Sequence, residues 1–200
     1  MSCLTEQSSY DPKHMNTVTH IVVASAALSR QNSPLRNRAV LAGALLPDLS
    51  IYVMSFWAIA TGNMNAHLWQ VTYWQEPWQM MGAITNSVPL AFLLLAAGIW
   101  KRWTPLIALA GALLIHAALD FPLHADDAHR HFWPLTDWRF HSPISYWDQD
   151  YHGLWGALFD CAVLFCSLVI LWIRFQTRWV RAVIAVLALL GLLYAGLIIR

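Results

Sequence analysis

Long apolar runs separated by short polar connections dominate the chain. Ala39–Ala60 is interrupted only at Pro47-Asp48, and Met80–Trp100 is uncharged but polar at Thr85-Asn86-Ser87. Thr104–Leu119 is shorter and carries His116 near its end. Leu154–Ile173 holds one acid, Asp160, and Ala182–Ile199 has no polar side chain except Tyr194. Such runs approach the roughly 20 residues with which a helix crosses a bilayer. They are too long and too uniformly apolar for barrel strands, which leaves helices as the spanning elements. The pattern therefore predicts an all-α integral membrane bundle of about five transmembrane helices, with Thr17–Ser29 as a short additional N-terminal helix. No internal repeat divides it. Residues 1–200 read as a single membrane-embedded helical domain: 17–153 carry the polar chemistry and 154–200 supply two C-terminal transmembrane helices.

Composition reinforces the pattern. Hydrophobic residues make up 58% of the chain and charged ones 12%, against roughly a quarter charged in soluble domains; that is too little polar surface to clothe a soluble core. A net charge of +1 with no basic run argues against a nucleic-acid partner and leaves membrane lipid and a small-molecule or lipid substrate as the expected ones. Cys161 and Cys166 lie in an apolar run, read as small hydrophobes, and with Cys3 make no disulfide framework. The polar opening stretch Met1–His14 lacks a basic segment followed by an apolar one, so no cleaved signal is expected.

Charge placement then orients the spans. Arg30, Arg36 and Arg38 precede the first long run, Lys101-Arg102 separate two others, and Arg174, Arg178 and Arg181 separate the last two. None of the 11 acidic residues falls in these connections, so the positive-inside rule places all of them on the cytoplasmic face. Thr61–Gln79 and Asp120–Gly153 then lie on the opposite face. Tryptophans suit both interfaces, with Trp100, Trp103, Trp172 and Trp179 inside and Trp69, Trp74, Trp78, Trp133, Trp138, Trp147 and Trp155 outside.

An ionisable side chain within a span is costly and is a functional candidate for that reason. At 1.5 Å per helical residue, His20 lies about 15 Å from Arg30, and Asp48 about 15 Å from Arg38. His116 and Asp120 lie about 21 and 27 Å from Arg102, Asn86 about 22 Å from Lys101, and Asp160 about 21 Å from Arg174. Elements running in opposite directions thus bring polar residues to similar depths. His116 and Asp120, spaced i, i+4, share a helix face. Pro122 ends that helix, and His124, Asp126, Asp127, His129 and His131 follow; six of the nine histidines fall between His116 and His152.

Taken singly, a buried His or Asp in a bundle is more often an interhelical polar contact than a ligand. Asp160 reads that way, and Asp48, after Pro47, suits a kink-satisfying cap as well as ligation. His14, His67, His141 and His152 read as interfacial, and Asp126, Asp127, His129 and His131 are too many for one ion. As a set, His20, Asp48, His116, Asp120 and His124 read as one divalent-metal site. Imidazole with carboxylate suits zinc, with manganese or iron as alternatives.

These residues also carry a family resemblance. Thr19-His20-Ile21 at the start of the first apolar helix, Gly43-Ala44-Leu45-Leu46-Pro47-Asp48, and His116-Ala117-Ala118-Leu119-Asp120 occur in this order. Trp133-Pro134-Leu135, Trp138-Arg139-Phe140 and Ser142-Pro143 follow them. The arrangement resembles the membrane-bound metal-dependent hydrolase family, whose best-known relatives are described as LexA-binding, inner-membrane-associated hydrolases. The segment His116–His124 is more distantly similar to the His-x-x-x-Asp…Pro-Leu-His motif of zinc-dependent phospholipase C and P1-type nucleases, with shorter spacing. The resemblance covers most of residues 17–150 and implies a bacterial inner-membrane location. One departure stands out: relatives commonly carry Thr-His-Ser, preceded by a His-Arg pair, where this chain has Thr85-Asn86-Ser87 and no histidine in Tyr73–Gln79.

The expected function is accordingly a membrane-bound metal-dependent hydrolase acting on a phosphoester or lipid ester near the outer membrane interface. Asp126 or Asp127 is the expected general base. Arg130 or Arg139 is expected to hold a phosphate, and Asn86 to hydrogen-bond substrate. The alternative is a non-catalytic metal-binding membrane scaffold or a small transporter using the same buried groups.

Overall fold

A computed structural model describes residues 17–65, 67–146 and 148–198. The opening stretch read as lacking a cleaved signal, Trp147 and the final residue of the last apolar run lie outside the described residues. The described chain is all-helical, with no strand. Its helices are α1 (Thr17–Leu28), α2 (Pro34–Leu45), α3 (Leu49–Ala60), α4 (Glu76–Thr85), α5 (Val88–Trp100), α6 (Thr104–Asp120), α7 (Gly153–Arg174) and α8 (Arg178–Ile198).

Where the apolar pattern predicts about five spans, two helices among the described residues are long and apolar enough to cross a membrane, or three if one bent pair counts as a span. Local chemistry explains the difference. Ala39–Ala60 is not one helix: α2 and α3 meet at 70° because Pro47 lacks an N–H and its ring crowds the preceding turn. Asp48 begins the new helix, its carbonyl accepting from Ile51 and Tyr52. Glu76–Trp100 does pass as one span, although it pauses at Asn86-Ser87; Ser87 Oγ accepts from the Leu90 amide and restarts the helix as α5. Gly153–Arg174 is the other long apolar helix. Thr17–Leu28 and Thr104–Asp120 are apolar but short; at 1.5 Å per residue, α6 covers only about 26 Å of a core about 30 Å thick.

The short helices are the ones that meet in the middle. α6 packs against α1, α2 and α5, while α1 bridges α2 and α7. Small residues set the α2–α6 approach: a Cβ on Gly43 would meet Leu109 O at 2.3 Å and Ala112 Cβ at 2.9 Å. Around that crossing Ala24, Val40, Ala44, Ala108 and Ala112 form a buried cluster. Close packing of small residues is how helices associate where apolar burial offers little advantage over lipid. A second cluster, of Val22, Ala26, Leu164, Leu168, Leu171 and Ile184, joins α1 to α7 and α8. Outward faces are strongly apolar: Phe92 and Leu93 on α5, Val169 and Ile173 on α7, and Val183 and Leu189 on α8 are all exposed. An apolar surface of that extent suits a lipid environment.

Candidate metal centre

Each short helix delivers one or two polar side chains to the same buried point. On α6, His116 and Asp120 sit one turn apart and both are buried. His116 Nδ1 is 2.8 Å from the carbonyl oxygen of Ala44 on α2. A carbonyl can only accept, so Nδ1 carries a proton and Nε2 is the nitrogen turned toward the carboxylates. That Nε2 is fully buried and has no hydrogen-bond partner, although Asp120 Oδ2 is 3.1 Å away and Asp48 Oδ1 is 3.5 Å away. A histidine nitrogen buried between two carboxylates either carries a proton and pairs with them or, deprotonated, can share a cation with them.

α1 supplies the next candidate ligand. His20 stacks on His116 with ring centroids 3.7 Å apart and planes within 10°, and its Nε2 lies 2.9 Å from Asp120 Oδ1. Asp48, brought inward by the Pro47 bend, is held from behind. Thr17 Oγ1 donates to Asp48 Oδ2 at 2.5 Å, and the Tyr52 hydroxyl donates to Thr17 Oγ1 at 2.8 Å.

Past α6 the chain folds back over the cluster. His124 Nε2 is 3.6 Å from Asp120 Oδ1, and its Nδ1 is 3.0 Å from Asp127 Oδ2. His129 Nε2 reaches within 3.9 Å of Asp120 Oδ2. Two sets of ligand atoms therefore converge to within 4.8 Å of one another: His20, His116 and Asp120, and Asp120, His124 and His129. Donors about 2 Å from a common ion stand about 3 to 4 Å apart, the range of the distances around Asp120. These buried groups could hold a metal ion.

The loop's own bonds keep it in place. Arg130 pairs with Glu76 at 2.9 Å and Asp137 at 3.2 Å, and Arg139 donates to Ala128 O at 2.6 Å and to Gln79 Oε1 at 2.9 Å. Ser142 Oγ donates to Pro122 O at 2.6 Å, the Ser142 amide donates to His124 O at 2.9 Å, and the Tyr146 amide donates to Leu123 O at 3.1 Å. On its far side the loop rests on α7 at Gly156, where a Cβ would meet Ser145 O at 2.3 Å.

Protonation differs between the loop histidines. Burial alone would lower His124, but the carboxylates of Asp127 and then Asp120 outweigh it and raise its pKa well above 6.5. Burial, then the neighbouring charge of His124, pushes His129 down to about 3. Burial also lowers His131.

Of the residues singled out from the sequence, His20, Asp48, His116, Asp120 and His124 meet here. Asp127 stands behind His124, whereas Asp126 is bound by the Tyr151 hydroxyl at 2.9 Å. Arg130 and Arg139 are engaged in holding the loop. Asn86 is buried and donates through Nδ2 to Pro47 O at 3.2 Å and Gly82 O at 3.0 Å, tying α4 to the α2–α3 bend. Sequence reasoning left out His129. Its signal was present in the His-x-x-x-x-His spacing from His124 across two aspartates, but which loop histidine turns inward depends on how the loop doubles back.

A cleft reaches the centre, lined by His20, Asp48, Asp120 and His124 on one side and by Phe159, Asp160 and Val163 of α7 on the other. Asp160 accepts from Thr19 Oγ1 at 3.2 Å. The lining joins ionisable groups to the apolar side chains of Leu119, Leu123, Phe159 and Val163, a mixture that suits an amphiphilic ligand. Comparison with family models, with curated proteins and with solved structures finds no match to this chain.

Proposed function

We propose that this chain is a membrane-embedded metal-dependent hydrolase acting on a phosphoester or lipid ester near the outer interface, as its resemblance to the membrane-bound metal-dependent hydrolases implies. The observation that carries the reading is the buried Nε2 of His116 facing Asp48 and Asp120 inside a cleft with both polar and apolar walls.

In this reading His20, His116 and Asp120 hold the ion, with His124 closing the site from the loop. The Ala44 carbonyl fixes the His116 tautomer, and Thr17 fixes the Asp48 carboxylate. Asp127, joined to the cluster through His124, is the proton acceptor. Leu119, Leu123, Phe159 and Val163 hold an acyl or other apolar portion of the substrate against the cleft. Zinc, the ion we favour for this donor set, supplies Lewis acidity and acidifies water when bound.

The same reading takes α6 and α8 as further spans, giving the bundle of about five, in a bacterial inner membrane. Arginine and lysine between the spans place the His/Asp-rich loop on the non-cytoplasmic side. The test is metal content of the detergent-purified protein together with turnover of bis(p-nitrophenyl) phosphate and a short-chain p-nitrophenyl ester. We expect zinc in the wild type and hydrolysis that disappears in His116→Ala. Stoichiometric metal with no turnover of either substrate class would replace the enzyme with a metal-binding scaffold.

A further inference from the structure

From the way the ligands divide around Asp120, we infer that the centre holds two divalent ions sharing that carboxylate. The inference rests on the metal-dependent reading above and extends it from one ion to a pair. Five donors surround the site, one more than a tetrahedral zinc accepts. They sort into two sets, each with its ligand atoms within 4.8 Å of one another, and Asp120 alone belongs to both.

The carboxylate lies between the two histidine pairs. Oδ1 is flanked by His20 at 2.9 Å and His124 at 3.6 Å, and Oδ2 by His116 at 3.1 Å and His129 at 3.9 Å. A carboxylate has lone pairs enough on its two oxygens to serve two cations at once. Each pair also has its own supporting group: Ala44 O behind His116, and Asp127 behind His124. Further carboxylates flank both sets. Asp48 at 3.5 Å from His116 and Asp127 at 3.0 Å from His124 place one additional carboxylate beside each set. Three carboxylates offset most of the charge of two divalent ions, so the cluster can accommodate a pair. Pairs of ions a few ångströms apart clamp the attacking and leaving oxygens of a displaced ester, which is chemistry the proposed reaction can use.

The test strips the full-length protein in detergent with chelator, reloads it with Mn2+, and reads stoichiometry by elemental analysis and coupling by electron paramagnetic resonance. The wild type should bind two ions per chain with an exchange-coupled signal. His129→Ala, which changes only the loop set, and His20→Ala, which changes only the helix set, should each fall to one uncoupled ion. His129→Gln is the companion variant should the alanine fail to fold, with the same expected loss. A single uncoupled ion in the wild type overturns the pair, and two coupled ions persisting in His129→Ala or His129→Gln overturn the division of ligands from which it is inferred; either leaves the hydrolase reading standing. No ion at all overturns both.

Discussion

The two halves of the candidate metal centre are built differently. His20 and His116 come from α1 and α6, which pack on each other and on α2, with α2 and α6 in close approach at Gly43–Leu109 and the two rings stacked at 3.7 Å. His124 and His129 come from a loop, held by hydrogen bonds to its own carbonyls and by Arg130 and Arg139 reaching to α4. Ligands on packed helices have their positions set by the bundle, so they move only if the bundle does. Ligands on a loop move whenever its local ties open, at a cost well below that of global unfolding. The helix half should therefore bind tightly and fail only together with the fold, while the loop half should bind more weakly and fail on its own.

Asp120 belongs to both candidate sets among the described residues and so cannot distinguish the halves. Asp120→Ala should lower metal affinity in both by well over the roughly 10–100-fold typical of losing an outer-sphere partner. Equilibrium metal titration measures it, and near-normal affinity in either half would show that the carboxylate is not shared. Gly43→Ala comes next. Its new Cβ would meet the Leu109 carbonyl at 2.3 Å, a backbone atom that cannot rotate away, so α2 and α6 must separate. Overpacking of this kind costs about 3 kcal/mol, about 6–12 °C in melting temperature for a chain of this size, with both halves impaired. The counterpart is Gly156→Ala, whose Cβ would meet Ser145 O at 2.3 Å and Tyr146 Cα at 2.7 Å. It should lift the loop from α7, weaken the His124–His129 half, and leave the His20–His116 half close to wild type. Equal loss in both halves would mean that the loop is not a separate unit.

The same division separates what the sequence disclosed from what it concealed. His116 and Asp120 were legible because helical spacing puts i and i+4 on one face, and His20 and Asp48 because depth counted along a helix is a regular measure. The helical class followed from the apolar runs alone. The number of spans did not, because run length ignores where a run breaks: Pro47 turns one apparent span into two helices meeting at 70°. His129 was hidden for a related reason. No periodicity governs a loop, so five candidate residues between His124 and His131 look alike until the backbone shows that His129 turns toward Asp120 while Asp126 turns toward Tyr151. Arg130 and Arg139 mislead in the same way, since a guanidinium suited to phosphate is equally suited to carboxylates and carbonyls of its own loop.

Smaller effects should come from the groups behind the ligands. Asp127→Asn keeps the shape but removes the charge that raises His124. It should weaken metal at the loop half by about 10-fold and leave the helix half unchanged. The wild-type pH dependence has a definite sign. His124 is raised well above 6.5, so at neutral pH it carries a proton that metal must displace, and affinity at the loop half rises with pH. His129, lowered to about 3, is already neutral there and adds no slope. In Asp127→Asn the slope near neutrality should flatten as His124 gives up its proton more readily; calorimetry in buffers of different ionisation enthalpy reads the proton released on loading.

Thr17→Val is the matching change in the helix half, and the smallest. It removes the hydroxyl that donates to Asp48 Oδ2 and leaves the Tyr52 hydroxyl without its acceptor. A hydrogen bond to a charged group contributes about 1.5–3 kcal/mol, but most of that loss falls on fold stability, because Asp48 faces the centre through its other oxygen, 3.5 Å from His116. Metal affinity at the helix half should drop by only a few-fold, and the loop half should not respond. A drop as large as that of Asp127→Asn would mean that Asp48 ligates the ion directly, and that helix packing alone does not fix the first half.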